Sequence, residues 1–161
     1  MNYFAKVSYD QFREALGCEC RETYDTIKTP ERATSRSAGY DFKSPIDFIL
    51  EPGETIKIPT GIRVILDPDK FLAIYPRSGL GFKYRTQLDN TVGIIDADYS
   101  MSDNEGHIMV KLTNDTRDGK TLIIHTGDGI CQGIIQQYFV TDDDNADGIR
   151  NGGFGSTDGT K

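Results

Sequence analysis

The sequence predicts an all-β fold of the sandwich, barrel or jelly-roll type with one short N-terminal helix. Three observations carry this. From residue 38 onward, short runs of β-branched and aromatic residues recur between turn signals. No alternation of strand and helix patterns is present, which disfavours a doubly wound parallel sheet. The spacing of strands and turns is as even as sandwiches and barrels require.

Taken in order, Tyr3 to Val7 reads as an opening strand. Ser8 then caps a brief amphipathic helix through Leu16, and Gly17 stops it. It is expected to be the only helix. Residues 18–37 are polar, contain Pro30 and read as a loop. The strands follow: Phe48 to Leu50, Thr55 to Ile58, Ile62 to Leu66, Phe71 to Tyr75, His107 to Leu112, Thr121 to Ile124 and Gly133 to Phe139. Between them stand turn segments such as Glu51-Pro52-Gly53-Glu54, Asp67-Pro68-Asp69 and Thr126-Gly127-Asp128-Gly129. Residues 1–140 form the expected β domain. Residues 141–161 open with the acidic run Thr141 to Asp147, expected to be a solvated linker, and end in the glycine-rich segment Arg150 to Thr157.

Composition narrows the function classes. The 161 residues suit a single core, and no apolar run approaches the ~20 residues of a membrane span. A net charge of −7 makes duplex nucleic acid a poor partner, because that affinity rests on neutralising phosphates. A nucleotide remains possible, given local cations, backbone N–H groups or a divalent metal. Cys18, Cys20 and Cys131 cannot all pair within one chain, and no secretory signal is visible, so free thiols in a cytoplasmic protein are expected. His107 and His125 do not sit at metal-ligand spacing from Cys18-Glu19-Cys20.

Four segments carry candidate chemistry. Pro76-Arg77-Ser78-Gly79-Leu80-Gly81-Phe82-Lys83 follows a strand and mixes glycines, a hydroxyl and two cations. Such a segment suits phosphate, although a strand-to-turn corner with incidental charge reads about as well. It is not a Walker A loop. Asn90-Thr91-Val92-Gly93-Ile94-Ile95-Asp96-Ala97-Asp98-Tyr99 places two acids on one face if it is extended. Ile94-Ile95 sets Asp96 at the edge of the core, where a carboxylate held rigidly can activate water; an ordinary hairpin is the competing reading. Gly127 to Gln132 reads by itself as a turn entering a strand. Phe154, alone among glycines with Arg150 four residues before it, suits a lid that stacks on a ligand, though plain disorder is the commoner use of such composition.

These four segments, preceded by Ala38-Gly39-Tyr40-Asp41-Phe42, resemble the five motifs of the trimeric dUTPase family in order, from about Ala38 to Thr157. The resemblance implies a jelly-roll-like β-clip subunit, a homotrimer with interfacial sites built from all three chains, and Mg²⁺-dependent hydrolysis of dUTP to dUMP and pyrophosphate. It implies roles residue by residue. Asp96 would activate the water that attacks the α-phosphorus. Tyr99 would lie against the deoxyribose and exclude a 2′-hydroxyl. Asn90 with Gly93, Ile94 and Ile95 would read the uracil edge. Arg77, Ser78 and Gly79 would hold phosphate, and Gln132 the α-phosphate. Asp41 would orient Mg²⁺ through water. Phe154 would stack on uracil, Arg150 would meet the terminal phosphate, and Gly155, Ser156 and Thr157 would complete the closing tail.

The chain departs from the family pattern at three places. Residues 100–106 replace a shorter turn and are expected to form an acidic surface loop, a candidate surface for a protein partner. Gly129 stands where many members have arginine. The fifth motif is one residue shorter between Arg150 and Phe154. A dCTP deaminase on the same fold, and a regulatory interaction protein on this scaffold, are the alternative functions.

Overall fold

The structure, a computed structural model, describes residues 1–150. The elements run β1 Tyr3–Lys6, α1 Tyr9–Leu16, α2 Arg21–Thr26, β2 Glu31–Arg32, β3 Tyr40–Lys43, β4 Phe48–Leu50, β5 Thr55–Pro59 and β6 Ile62–Ile65. They continue with β7 Lys70–Pro76, α3 Ser78–Tyr84, β8 Gln87–Leu88, β9 Gly93–Asp96, a 3₁₀ turn over Ala97–Met101, β10 Met109–Thr113, β11 Leu122–Ile124 and β12 Gly129–Gln137. Every strand pairing is antiparallel. The largest sheet has the order β2-β3-β12-β7-β9; smaller ones pair β1 with β6, β11 with β4, and β5-β10-β8.

The alternation read from the sequence is what builds the core. In β10 Val110 and Leu112 point inward while Lys111 is exposed, and in β6 Ile62 and Val64 do the same against β1. These side chains join Phe42, Ile58, Leu72, Leu122 and Ile130 in one cluster. The strand β12 lies between β3 and β7 and starts at Gly129, four residues before the expected Gly133. Glycines 129 and 133 hid that start, because they look like turn residues. At Gly133 the approach of Leu72 and Phe42 leaves no room for a Cβ, so the residue belongs to a packed strand.

Two further helices, α2 and α3, correct the expectation that α1 is the only one. The segment 18–37 contains α2, because Cys20, Tyr24 and Ile27 fall at i, i+4 and i+7 and meet Val7, Phe12 and Tyr9 in a second small core. The Tyr24 ring lies 5.9 Å from Phe12, and its hydroxyl donates to the Val7 carbonyl at 2.7 Å. The segment after Arg77 is not a plain turn but α3. Leu80 and Tyr84, one helical turn apart, pack on the main core, and that contact outweighs the poor helix propensity of Gly79 and Gly81. The opening helix is as read: Ser8 accepts from the Gln11 amide, Phe12 is buried, and Gly17 ends the helix at φ +80°.

Candidate active site

The hairpin before β9 sets one wall of a cavity of about 370 Å³. Its turn is tied by Thr91 N–H to the Leu88 carbonyl at 2.8 Å and Val92 N–H to the Asn90 carbonyl at 2.7 Å. Thr91 sits at φ +66°, which a β-branched residue adopts only under strain, and such strain concentrates at ligand sites. Gly93 fits closely here, because a Cβ would stand 3.1 Å from the Ile74 side chain on the neighbouring β7. Asn90, Gly93, Ile94, Ile95, Asp96 and Tyr99 all line this cavity, together with Arg150.

Asp96 closes β9, and Asp98 follows in the 3₁₀ turn. The two acids do share surroundings, but by a different route from an extended strand with period two. They meet through Arg150, whose Nε donates to Asp98 Oδ1 at 2.8 Å and whose Nη2 pairs with Asp96 Oδ2. The arginine side chain is 19% exposed and each carboxylate 47%. Arg150 therefore stands at the mouth of the cavity. Phe154, Gly155, Ser156 and Thr157 lie outside the described residues.

Tyr99 is buried and lines the cavity, while its hydroxyl bonds to two residues that do not line it. The hydroxyl donates to the His107 carbonyl at 2.9 Å and accepts from Asn104 Nδ2 at 2.8 Å. Burial raises the pKa of this phenol, and the Asn104 hydrogen bond opposes the rise. Asn104 comes from the segment 100–106, expected to be a surface loop, and His107 from the residue directly after it. The segment is a loop of turns with Met101 and Asp103 exposed, as expected, but it is anchored: Ser102 and Gly106 are buried, and Glu105 reaches back to accept from Ser8 N–H at 2.7 Å. Met101, 80% exposed, keeps an outward side chain.

Sequence reasoning missed the floor of the cavity. Met109 and Lys111, alternate residues of β10, face it, and so does Asp89. Lys111 Nζ lies 2.8 Å from Asp89, which also accepts from the Thr113 hydroxyl at 2.6 Å. The Lys111 hydrogen bond, then the Thr113 one, lower the Asp89 pKa. Asp89 pins the base of the hairpin that carries Asn90. Its position directly before Asn90 was the available signal.

The remaining motif residues form a separate group. Arg77 Nε pairs with Asp41 at 3.2 Å, and its Nη1 approaches the Gly129 carbonyl at 3.4 Å. A Cβ on Gly129 would stand 2.1 Å from that nitrogen, so the glycine makes the space in which Arg77 folds over β12. Gln132 donates to the Pro76 carbonyl at 3.2 Å and covers Gly39. Ser78 and Gly79 form the first turn of α3. None of Asp41, Arg77, Ser78, Gly79 and Gln132 lines the cavity. Asp41 on β3 and Asp96 on β9 are separated by β12 and β7, or ~14 Å at ~4.8 Å per strand spacing. Their registers differ as well: Asp41 shares a row with Gln132 and Tyr75, while Asp96 faces Phe71, four residues along β7.

The comparisons with known proteins now decide the family. The dUTPase family profile matches residues 25–158, most of the chain. This chain belongs to the dUTPase family. A deoxyuridine 5′-triphosphate nucleotidohydrolase of Lactococcus lactis is 38% identical over 134 residues, covering 81% of this chain and 88% of the relative. Its counterpart in Hahella chejuensis is 42% identical over 143 residues, covering 84% and 89%. Among solved structures, the dUTPase of Streptococcus mutans superposes with a TM-score of 0.67 at 28% identity, over 86% of this chain and 98% of that one. A dUTPase from phage phi11 of Staphylococcus aureus, in which a structural Mg(II) ion is coordinated, shares the fold at a TM-score of 0.66 and 20% identity, over 92% and 97%. Among the described residues of this dUTPase-family chain, no group of three or more His, Cys, Asp or Glu is placed to hold a metal.

Proposed function

We propose that this chain hydrolyses dUTP to dUMP and pyrophosphate. The observation that carries the reading is the single cavity that brings Asn90, the strand Gly93 to Ile95, the Tyr99 ring and the Asp96 carboxylate together. A base laid along β9 would meet the backbone of Gly93 to Ile95 and the amide of Asn90. Fixed donors and acceptors there reject cytosine by leaving polar groups unpaired, and the close turn rejects a thymine methyl by contact. Tyr99 gives the sugar a flat apolar wall with no partner for a 2′-hydroxyl. Asp96, at the open end, would orient a water molecule and take its proton as it attacks the α-phosphorus, with pyrophosphate leaving in line.

Arg150 fits this scheme as the cation of the resting site. It balances Asp96 and Asp98, and arriving phosphate oxygens would compete for the same guanidinium. Its transfer to the terminal phosphate would free Asp96 for water. Mg²⁺, when bound, supplies charge neutralisation on the three phosphates. Asp41 is engaged by Arg77 and would reach the ion through water only.

A homotrimer completes the proposal. The phosphate group of residues around Arg77 and Gln132 sits apart from the cavity in one chain, so a complete site needs a second chain to bring it there. The test is product identity. dUMP and pyrophosphate from dUTP support the reading, with ¹⁸O from labelled water found in dUMP. Ammonia and dUTP formed from dCTP would move the chain to the deaminase class.

A further inference from the structure

We infer that Asn104 is a positioning residue that sets the discrimination between deoxyribose and ribose. The inference rests on the proposed role of Tyr99 as the wall against the sugar. A ring that excludes one oxygen atom must be held to a fraction of an ångström, and its covalent tether alone does not do that. In this chain the ring is held at its far end. Its hydroxyl is clamped between the His107 carbonyl, which accepts at 2.9 Å, and Asn104 Nδ2, which donates at 2.8 Å.

The clamp is itself braced. Asn104 Oδ1 accepts from the Gly106 amide at 3.1 Å, and the Asn104 carbonyl accepts from His107 N–H at 3.0 Å. Gly106 has φ +72°, and a Cβ there would lie 2.7 Å from Ser100 Cα and 2.9 Å from the Tyr99 carbonyl. Glu105 also has positive φ, at +59°, and its carboxylate is fastened to Ser8 at the start of α1. His107 Nε2 accepts from Gly61 N–H at 2.8 Å beneath it. Thus one strained residue, Glu105, a glycine that leaves no room for a side chain, and long-range hydrogen bonds to Ser8 and Gly61 fix the segment that carries the Asn104 amide. Nothing in that arrangement touches the cavity, so its effect passes through Tyr99.

Asn104→Asp separates the two jobs of this side chain. The carboxylate keeps the acceptor for Gly106 N–H but has no N–H to donate to the Tyr99 hydroxyl. kcat/KM for dUTP and for UTP would be measured in the wild type, Asn104→Asp, Tyr99→Phe and the double variant, with a melting curve for each. The expected result is a dUTP-over-UTP preference reduced about fivefold to tenfold in Asn104→Asp, the worth of one hydrogen bond, with the melting temperature little changed. The double variant should lose no more than Tyr99→Phe alone, because both act through one contact. An unchanged preference in Asn104→Asp, or additive losses in the double variant, overturns the inference. A wild-type chain that cleaves dUTP and UTP equally overturns the sugar role of Tyr99 and this inference with it.

Discussion

Asp96 and His107 show how differently two titratable residues are treated in one small fold. Asp96 is half exposed and paired with a cation at the mouth of a cavity, where a group that handles protons belongs. His107 is fully buried, and burial depresses its pKa from 6.5 to about 4, with Glu105 opposing the shift and Lys57 adding to it. Gly61 N–H bonds to Nε2, so the ring proton sits on Nδ1, which is buried without a hydrogen-bond partner among the described residues. The neutral ring is therefore part of the structure. Its folded pKa lies below the unfolded one, so the unfolded chain binds the extra proton between them. Stability linked to His107 is present above about pH 6.5 and lost as the pH falls towards 4, by at most ~3 kcal/mol. Melting temperatures measured from pH 7 to pH 4 should fall over this window. In His107→Gln, which does not titrate, the slope should be shallower. The order Asn90, Gly93, Asp96, Tyr99 was readable from the chain. The buried role of His107 was not, since a histidine at the start of the expected strand His107 to Leu112 can face either way.

At the scale of elements, the strands were legible because β-branched residues and turn residues alternate over the whole range from 38 to 137. Of the helices, α1 was legible from its caps, and α2 and α3 were not. In α2 three apolar residues among polar ones supplied the period, and in α3 two glycines concealed the Leu80 to Tyr84 spacing. The anchoring of the loop 100–106 was hidden for a related reason. Its composition is that of a surface loop, yet Asn104, Glu105 and Gly106 point its polarity inward, to Tyr99, Ser8 and the backbone. Composition reports what a residue can bond to, and not where the partner stands. Gly106→Ala tests this packing. The new methyl would meet backbone atoms at less than 3 Å, in a conformation that L residues resist. The substitution should cost about 1–3 kcal/mol in denaturant unfolding. It should also weaken dUTP turnover, although it lies outside the cavity. A stable, fully active Gly106→Ala would show that the segment gives way freely.

For the whole molecule, the proposed function divides the site between two groups of residues that one chain holds apart. Asp96 and Tyr99 border one, and Arg77, Ser78 and Gln132 form the other. If chains assemble in threes and pair unlike half-sites, two inactive variants should rescue each other. Asp96→Asn and Arg77→Ala, each inactive by itself, should regain part of the wild-type activity after their subunits are exchanged in a mixed solution. Light scattering should give a mass of three chains of 17.9 kDa. Mixtures that stay inactive after proven exchange would place the complete site within one chain.

The most direct test of the central claim follows pyrophosphate release from dUTP, dCTP, dTTP and UTP in the presence of Mg²⁺, for the wild type and for Asp96→Asn. The predicted result is release from dUTP alone by the wild type, reduced at least ~10²-fold in a folded Asp96→Asn, as removal of a general base requires. Equal release by both proteins would contradict the role of Asp96, and no release from dUTP by a folded wild-type protein would contradict the function itself.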